Sequence, residues 1–283
     1  MERSAKRDSW GSKWGFILAC IGSAVGMGNI WLFPARVSAY GGATFLIPYF
    51  IFVVIIASTG VIGEMSFGRA TRSGPIHAFG YATKQRFGTE RPGKMLGLIP
   101  VVGSLALAIG YSVVVGWIFK YLFHAFNGSL ISMERVDEFN AMFGATATSN
   151  PVWQVLGMVV TLVIMAFGIG KGIEKANKIM TPLFYVLFIG LAVYIFTLPG
   201  ASNAYRYIFV LDPEGLLDPM VWVYALGQAF FSLSLGMGVM ITYASYLSRE
   251  DNLVSNTAIV CTLDTMVALF AGFMIIPAVF ATG

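Results

Sequence analysis

Seven apolar runs, separated by short polar segments, make up most of this chain. A helix needs about 20 apolar residues to cross the hydrocarbon core of a membrane, and most of the runs reach that length. The pattern therefore predicts an all-α membrane protein. The predicted spans cover residues 13–38, 43–69, 95–125, 152–169, 177–198, 219–247 and 254–281.

Composition and charge support this prediction. Hydrophobic residues make up 57% of the chain and charged residues 11%, whereas a soluble domain has about 25% charged residues. Lysine and arginine gather before the first span and after the second, fourth and sixth. The positive-inside rule then predicts a multi-pass plasma-membrane protein with a cytoplasmic N-terminus. These loops account for the basic residues, so no nucleic-acid partner is expected, and no motif points to an enzyme.

Glycine and serine interrupt two of the predicted spans. Residues 22–29 read Gly-Ser-Ala-Val-Gly-Met-Gly-Asn in span 1, and residues 232–238 read Ser-Leu-Ser-Leu-Gly-Met-Gly in span 6. Unwound backbone at membrane depth persists only where it is buried in protein or lines a cavity, so the pair predicts a midplane binding site. Equivalent breaks five spans apart imply a repeat, and the repeat must be inverted because five is odd.

Two acidic residues lie deep within predicted spans, where a carboxylate is costly and by default functional. Asp264 has no lysine or arginine within a helical turn, so it needs a cation, a proton or several hydrogen-bond donors. A cation site is favoured, with structural hydrogen bonding as the alternative. Glu64 is predicted to be a structural brace that accepts hydrogen bonds from N–H groups freed in a broken helix, and a direct functional role is its alternative.

The breaks also indicate the chemistry of the ligand. Exposed carbonyl oxygens suit Na⁺, and the N-terminal ends of half-helices favour a carboxylate. Residues 24–27 include no acid to pair with a cationic amine, which favours a ligand that brings its own carboxylate, such as an α-amino acid. Phe230, Phe231 and Met237 predict an apolar side-chain pocket, unless they only pack helices together.

Several motifs resemble the neurotransmitter:sodium symporter family, specifically its prokaryotic amino-acid members. They lie at residues 22–31, 33–34, 41–49, 64–69, 227–238 and 241–246. The resemblance implies a leucine-transporter-type fold with a five-plus-five inverted repeat, of which this chain has spans 1–7 with broken helices 1 and 6. One transmembrane domain, 1–283, then has a first repeat at 1–198 and the start of the second at 219–283, and the chain is expected to be truncated.

The resemblance also implies two sodium sites. The first would use the carbonyl of Ala24, the side chains of Asn29 and Ser232, and the position of Asp264. The second would use the carbonyls of Gly22 and Val25, and its other half would lie in an eighth span that this chain does not include. The second site is therefore expected to be incomplete here.

By the same resemblance, the amino-acid substrate lies between spans 1, 3 and 6. Its carboxylate would meet sodium, the backbone near Gly26 and the hydroxyl of Tyr111, and Phe230 would form a lid with Tyr111. The full set of implied substrate residues is Ala24, Gly26, Gly28, Leu107, Tyr111, Val114, Phe230, Phe231, Ser234 and Met237.

Chloride-dependent relatives hold Cl⁻ near the positions of Tyr49, Gln228 and Ser232, with a further serine where this chain has Ala268. Asp264 stands one helical turn before Ala268 and can supply the missing negative charge. The resemblance therefore predicts chloride independence.

Gating residues follow from the resemblance in the same way. The family often has an arginine outer gate where this chain has Leu32, and Arg36, four residues later, is predicted to replace it. A cytoplasmic network is predicted to involve Arg7, Trp10 and Tyr246. Relatives unwind span 5 between a glycine and a proline separated by nine residues, here Gly172 and Pro182. A plain helix with a proline kink is the alternative.

These observations predict sodium-coupled symport of hydrophobic or aromatic amino acids by alternating access, in a bacterial inner membrane. The expected partners are the amino-acid substrate and the lipid bilayer, and a homodimer is left open. A truncated non-transporting remnant and a ligand-gated channel on the same scaffold are the alternatives.

Overall fold

The computed structural model describes residues 9–130 and 151–282, and these residues form helices joined by short turns, with no strand among them. The helices are α1 Lys13–Ala24, α2 Phe33–Ala39, α3 Ala43–Phe52, α4 Ser58–Thr71, α5 Pro75–Phe87, α6 Arg91–Phe126, α7 Pro151–Ala166, α8 Glu174–Phe196, α9 Ala201–Ile208, α10 Pro219–Ser232, α11 Val239–Ala244 and α12 Leu253–Thr282. Wider π-helical turns at Gly28–Leu32, Val53–Ala57 and Ile169–Ile173 lead into α2, α4 and α8, and a 3₁₀ turn at Gly215–Leu217 precedes α10.

Four helical stretches of the described residues are long and apolar enough to cross a membrane on their own. They are Ala43–Thr71, Arg91–Phe126, Ile169–Phe196 and Leu253–Ala281. Lys13–Ala24 and Gly28–Ala39 make a fifth span if the pair, bent by 55°, is counted as one. The other two predicted spans are the shorter apolar helix α7 and the pair α10 and α11. Spans 1 and 6 are thus broken helices, as predicted.

The boundary between predicted spans 4 and 5 differs from the prediction. α7 ends at Ala166, and the turn Ile169–Ile173 already opens the next helix. Gly168, at φ 76° and ψ −167°, makes the sharp turn between them in a conformation open essentially to glycine. The lysines that the charge pattern assigned to a loop after span 4 therefore lie on the first turns of span 5. These are Lys171, Lys175 and Lys178.

Close backbone contact joins span 2 to the second half of span 6. A Cβ atom added to Gly68 of α4 would lie 2.0 Å from the carbonyl oxygen of Ile241 in α11, which no side chain could tolerate. Small residues allow membrane helices to approach closely and gain dispersion contacts. The contact fixes α11 against α4, so the break in span 6 is held at the level of Glu64.

The buried core lies where spans 1, 2, 6 and 7 meet. Large side chains with no more than 1% exposure include Phe16, Phe33, Tyr49, Leu233 and Met240. The ring of Phe33 packs edge-on against Tyr49 with centroids 5.1 Å apart. In contrast, α6, α7 and α8 turn many apolar side chains outward, as lipid-facing helices do. The two broken spans therefore lie next to the core, and α6 closes one side of their breaks.

Candidate functional site

The break in span 1 frees backbone carbonyl groups. The N–H of Gly26 donates to Oδ1 of Asn29 at 3.1 Å, and the N–H of Asn29 donates to the carbonyl oxygen of Gly26 at 3.1 Å. In a continuous α-helix these two N–H groups would bond the carbonyls four residues earlier, which belong to Gly22 and Val25. Those two oxygens lose their usual donors. They are the two carbonyls that the resemblance assigns to the second sodium site.

The break in span 6 is built from left-handed backbone. Ser234, Gly236 and Gly238 have φ angles of 52°, 84° and 71°. Serine at positive φ carries strain that persists only where the surroundings enforce it. The hydroxyl of Ser234 donates to the carbonyl oxygen of Ser23 at 3.3 Å. This contact ties the break in span 6 directly to α1, the first half of span 1.

Glu64 contacts the break in span 6. Its Oε1 accepts a hydrogen bond from the N–H of Gly236 at 2.6 Å, which is short, as expected for a charge-assisted bond. Its Oε2 is buried and has no hydrogen-bond partner among the described residues. The carboxylate therefore satisfies one N–H group that unwinding has freed. This is the contact that the predicted brace requires, and the role itself stays a prediction.

Three buried polar side chains from spans 1, 6 and 7 meet between the two breaks. Ser232 Oγ donates to Oδ2 of Asp264 at 2.6 Å, while Asn29 Nδ2 donates to Oδ1 of Asp264 at 3.0 Å and to Ser232 Oγ at 2.9 Å. All three residues are at most 1% exposed. We call Asn29, Ser232 and Asp264 the carboxylate cluster. Its hydrogen bonds orient the carboxylate, and no lysine, arginine or histidine of the described residues forms an ion pair with it, so the cluster suits a small cation.

The donor set also indicates which cation. Among the described residues there is no group of three or more His, Cys, Asp or Glu side chains that could hold a metal ion. The carboxylate cluster offers one charged group and the neutral hydroxyl oxygen of Ser232, and the amide oxygen of Asn29 accepts from the N–H of Gly26 at the break in span 1. A single charge with neutral oxygens suits a monovalent hard cation better than Zn²⁺ or Ca²⁺, which take nitrogen and sulfur ligands or several carboxylates.

A cavity of about 330 Å³ adjoins the breaks. Its volume lies at the lower end of the range for small-molecule sites. Eight of the predicted substrate residues line it, namely Ala24, Gly26, Gly28, Leu107, Tyr111, Phe231, Ser234 and Met237. Gly22 and Val25 also line it. The cavity thus adjoins Ala24, whose carbonyl is assigned to the first sodium site, and Gly22 and Val25, whose carbonyls are assigned to the second. It also adjoins the predicted apolar side chains of Phe231 and Met237.

Two glycines in span 1 make room for this cavity's aromatic walls. A Cβ atom on Gly26 would lie 3.3 Å from the hydroxyl oxygen of Tyr111, and one on Gly28 would lie 2.7 Å from Cδ1 of Phe231. Contacts under 3.0 Å force something to shift. Glycine therefore lets the backbone of span 1 approach both rings closely.

Two predicted substrate residues do not line the cavity. Val114 lies one turn along α6 beyond Tyr111, and Phe230 is 36% exposed on a different face of α10 from Phe231. The sequence reasoning missed Ser104, Ala108 and Val239, together with Ser23. Ser104 Oγ donates to the carbonyl oxygen of Met237 at 2.8 Å. Helical spacing (104, 107, 108, 111) could have identified the α6 residues, because i, i+3, i+4 and i+7 share a face.

Arg36 bonds to span 6. Its Nη1 donates to Oε1 of Gln228 at 2.8 Å and to the carbonyl oxygen of Tyr224 at 3.3 Å, and its guanidinium lies 5.5 Å from the centroid of the Tyr224 ring. Gln228 in turn donates from Nε2 to the carbonyl oxygen of Gly28 at 2.7 Å. Arg36 thus joins the second half of span 1 to the first half of span 6, and its predicted gating role stays a prediction.

The residues predicted around a chloride position are buried together. The hydroxyl of Tyr49 is buried without a hydrogen-bond partner among the described residues, and it lies near Ser232, Thr265 and Asp264. Ala268 is fully buried. Gln228 differs from the expectation, because Arg36 and Gly28 occupy both ends of its amide.

The predicted gating residues near the N-terminus are only partly described. Trp10 Nε1 donates to the carbonyl oxygen of Tyr243 at 3.0 Å, and Trp10 and Tyr246 line one polar cavity of about 560 Å³. Arg7 lies outside the described residues. The segment between Gly172 and Pro182 is helical throughout, so the predicted unwinding is not the conformation present.

Span 5 contributes polar residues that the sequence reasoning did not identify. Asn177 and Thr181 line a cavity of about 170 Å³ together with Gly22 and Val25. A Cβ atom on Gly22 would lie 1.9 Å from Oδ1 of Asn177, so this contact also requires glycine. The face of span 1 with the freed carbonyls thus meets amide and hydroxyl groups of span 5.

Comparison with known proteins gives a family match and several relatives. A model of the sodium:neurotransmitter symporter family matches residues 7–142 and 141–281. The uncharacterized sodium-dependent transporter YhdH of Bacillus subtilis is 35% identical over 278 residues, covering 97% of this chain and 60% of YhdH. The sodium- and chloride-dependent transporter XTRP3 of Homo sapiens is 29% identical over 296 residues, covering 95% of this chain and 49% of XTRP3.

A solved structure extends the comparison. The crystal structure of MhsT in complex with L-phenylalanine matches with a TM-score of 0.87 and 42% sequence identity, and covers 98% of this chain and 62% of MhsT. The helices and their two breaks define an all-α membrane protein of the leucine-transporter-type fold. The chain belongs to the sodium:neurotransmitter symporter family. It spans about 60% of the length of relatives such as YhdH.

Proposed function

We propose that this chain forms the binding core of a sodium-coupled symporter for hydrophobic or aromatic amino acids. The observation that carries the proposal is the carboxylate cluster, buried beside the 330 Å³ cavity between two helix breaks. The structural relative MhsT forms a complex with L-phenylalanine, which supports an amino acid as the ligand here. Two sodium sites are proposed, the first at the carboxylate cluster and the second at the freed carbonyls of Gly22 and Val25.

In this mechanism the first sodium ion is bound by Asp264, by the oxygens of Asn29 and Ser232, and by the carbonyl of Ala24. The substrate carboxylate approaches this ion, so each neutralises the other's charge in a site of low dielectric constant. The hydroxyl of Tyr111 is proposed to donate to the carboxylate, and it lies beside the break in span 1, 3.3 Å from where a Cβ atom on Gly26 would stand. The substrate side chain contacts Phe231, Leu107 and Met237.

Alternating access follows from the two breaks. Sodium binding favours one conformation only if sodium binds that conformation more tightly. The carboxylate cluster draws on spans 1, 6 and 7, so an ion there links segments that would otherwise move separately. Arg36 holds the outer halves together, and Trp10 with Tyr246 lies at the end proposed to be cytoplasmic. The membrane proposed is a bacterial inner membrane.

We also propose that transport is independent of chloride. Asp264 already provides a fixed negative charge within hydrogen-bond distance of Ser232, and a second anion near Tyr49 would be repelled by it. The name of XTRP3 includes chloride dependence, so the point requires a direct test. Replacing chloride with gluconate should leave sodium-dependent uptake within about twofold of its value, and a loss of uptake would refute chloride independence.

The test of the main proposal uses a full-length protein that carries this chain, reconstituted in liposomes. Labelled phenylalanine uptake should require a sodium gradient and should disappear when choline replaces sodium. A panel of unlabelled amino acids then defines the substrate class by competition. Measuring sodium-dependent binding and uptake with the 283-residue chain by itself tests the alternative of a non-transporting remnant, which would show no uptake. Sodium-independent uptake by the full-length protein would refute the symporter.

A further inference from the structure

Glu174 is a buried acid that the proposed transport mechanism does not use. It is the first residue of α8, directly after the π-helical turn Ile169–Ile173, and it is 2% exposed. A buried carboxylate is costly unless several donors satisfy it. The hydrogen-bond and ion-pair partners of Glu174 therefore indicate its structural role.

Those partners come from the start of span 1. The N–H of Gly11 donates to Oε2 of Glu174 at 2.6 Å, and the hydroxyl of Ser12 donates to Oε1 at 3.1 Å. Lys178, one turn along α8, places Nζ 2.6 Å from Oε1. Ser12 is also the N-cap of α1, where its Oγ accepts a hydrogen bond from the N–H of Gly15 at 3.0 Å.

The backbone of span 1 is shaped to admit this carboxylate. A Cβ atom on Gly15 would lie 2.0 Å from Oε1 of Glu174, and one on Gly11 would lie 3.2 Å from the same oxygen. Glycine at both positions lets the carboxylate reach the N-terminal end of α1, where the helix dipole favours a negative charge. The contact is therefore a fitted one between two spans.

The span 5 side of this contact is intrinsically a poor helix. Gly168, Gly170 and Gly172 lie within five residues, and Pro182 leaves the carbonyl of Lys178 without its helical donor. Glycine costs about 1 kcal/mol relative to alanine in a helix. The first turns of span 5 therefore depend on tertiary contacts, and those of Glu174 reach across to another span.

We propose that Glu174 is a latch, a positioning residue that fastens the start of span 1 to the start of span 5. Loosening the first turns of span 5 withdraws the acceptor from Gly11 and Ser12 and so releases the inner half of span 1. By reciprocity, displacing span 1 loosens span 5. One consequence of the latch rests on the proposed function: release of span 1 opens the binding site toward the end proposed to be cytoplasmic. The latch itself does not depend on that function.

Hydrogen–deuterium exchange on the chain in nanodiscs tests the latch without any transport assay. Glu174→Gln is isosteric but removes the charge and turns an NH₂ group toward one donor. It should raise exchange by at least roughly tenfold, the lower bound for the loss of one charge-assisted hydrogen bond, in residues 9–16 and 169–178 together. Glu214→Gln, at an exposed acid just before α10, is the matched control and should leave both segments unchanged.

The reverse perturbation separates a latch from a purely local structural role. Ser12→Ala loses its own cap, so faster exchange at residues 9–16 is expected in any case, but only a latch also speeds exchange at 169–178. If Glu174→Gln does not fold, which would be recognised by faster exchange throughout α4, Ser12→Ala alone provides the test. No change at 169–178 in Ser12→Ala, or a rise in one segment only in Glu174→Gln, overturns the proposal.

Transport provides a second readout in the full-length protein. Glu174→Gln should weaken apparent sodium affinity on the order of tenfold, because the released state is favoured at the expense of the sodium-binding state, while uptake at saturating sodium persists. Unchanged sodium affinity would overturn the link to transport. If the wild-type protein shows no sodium-dependent uptake, the proposed function fails, and the exchange experiment still decides whether the latch exists.

Discussion

The sharpest prediction concerns the charge of Asp264, which Asp264→Asn removes while keeping the shape of the side chain. Its Oδ1 lies 3.0 Å from Asn29 Nδ2, and its Oδ2 lies 2.6 Å from Ser232 Oγ. A sodium ion that shares oxygens of the same cluster must lie within about 4 Å of the carboxylate. Two unit charges at about 4 Å interact by about 4 kcal/mol at an effective dielectric constant of about 20.

Part of that energy remains in the variant because the asparagine side chain keeps a neutral oxygen that can still bind the ion, and part is offset because Asn29 and Ser232 already donate to the carboxylate. We therefore expect Asp264→Asn to weaken sodium binding by about 3 kcal/mol, which is roughly a hundredfold. The measurement is the sodium concentration that half-saturates binding of labelled phenylalanine to the full-length protein. Asp251→Asn is the matched control, because Asp251 accepts a backbone hydrogen bond in a loop outside the spans.

A change of less than about threefold in Asp264→Asn would show that the first cation does not lie at the carboxylate cluster. The same would follow if Asp264→Asn and Asp251→Asn weakened sodium binding equally. A protein that no longer folds is recognised by its loss of a single symmetrical peak in size-exclusion chromatography. In that case Ser232→Ala is used, which removes one hydroxyl from the cluster and should weaken sodium binding by roughly tenfold.

Three further predictions concern residues around the breaks. Gly28→Ala should lower phenylalanine affinity at least about tenfold, because its Cβ atom would lie 2.7 Å from Phe231. Adding Phe231→Leu to the same protein should restore part of the affinity, and no rescue would contradict the steric explanation. Arg36→Ala should reduce uptake several-fold by freeing Gln228 and Tyr224, and intact uptake would exclude an outer gate. Glu64→Gln should lower the melting temperature in a fluorescence assay by a few degrees, since it replaces a charged acceptor of the Gly236 N–H worth about 1.5–3 kcal/mol, and an unchanged melting temperature would argue against a brace.

Some features of the site could be predicted because the sequence carries the physical reason for them. A carboxylate within an apolar span is costly in free energy, and glycine-rich segments in such spans unwind. The sequence therefore predicts a cation site at Asp264 and breaks in spans 1 and 6. The structure brings Asp264 together with Asn29 and Ser232, which lie 235 and 32 residues away in the chain. Only the resemblance combined Asp264 with Asn29 and Ser232 in one sodium site, because spacing alone does not say which spans touch.

Other expectations differ from the structure because helix rotation and turn geometry decide them. Val114 and Phe230 are apolar and close in sequence to residues of the cavity, but the rotation of α6 and α10 turns them elsewhere. The lysines after span 4 lie on a helix because Gly168 adopts positive φ. Apolar periodicity does not indicate such a turn, since glycine is compatible with a loop, a helix end or a sharp bend.

The sequence by itself determined that this chain is a helical membrane protein with broken spans 1 and 6. Long apolar runs, charge asymmetry and paired glycine motifs are local properties, and the bilayer makes them decisive. Only the tertiary structure decided that Glu174 is buried against Gly11 and Ser12, and that Arg36 bonds to Gln228. Such contacts join residues far apart in the chain, and they depend on how the helices pack rather than on any pattern along one helix.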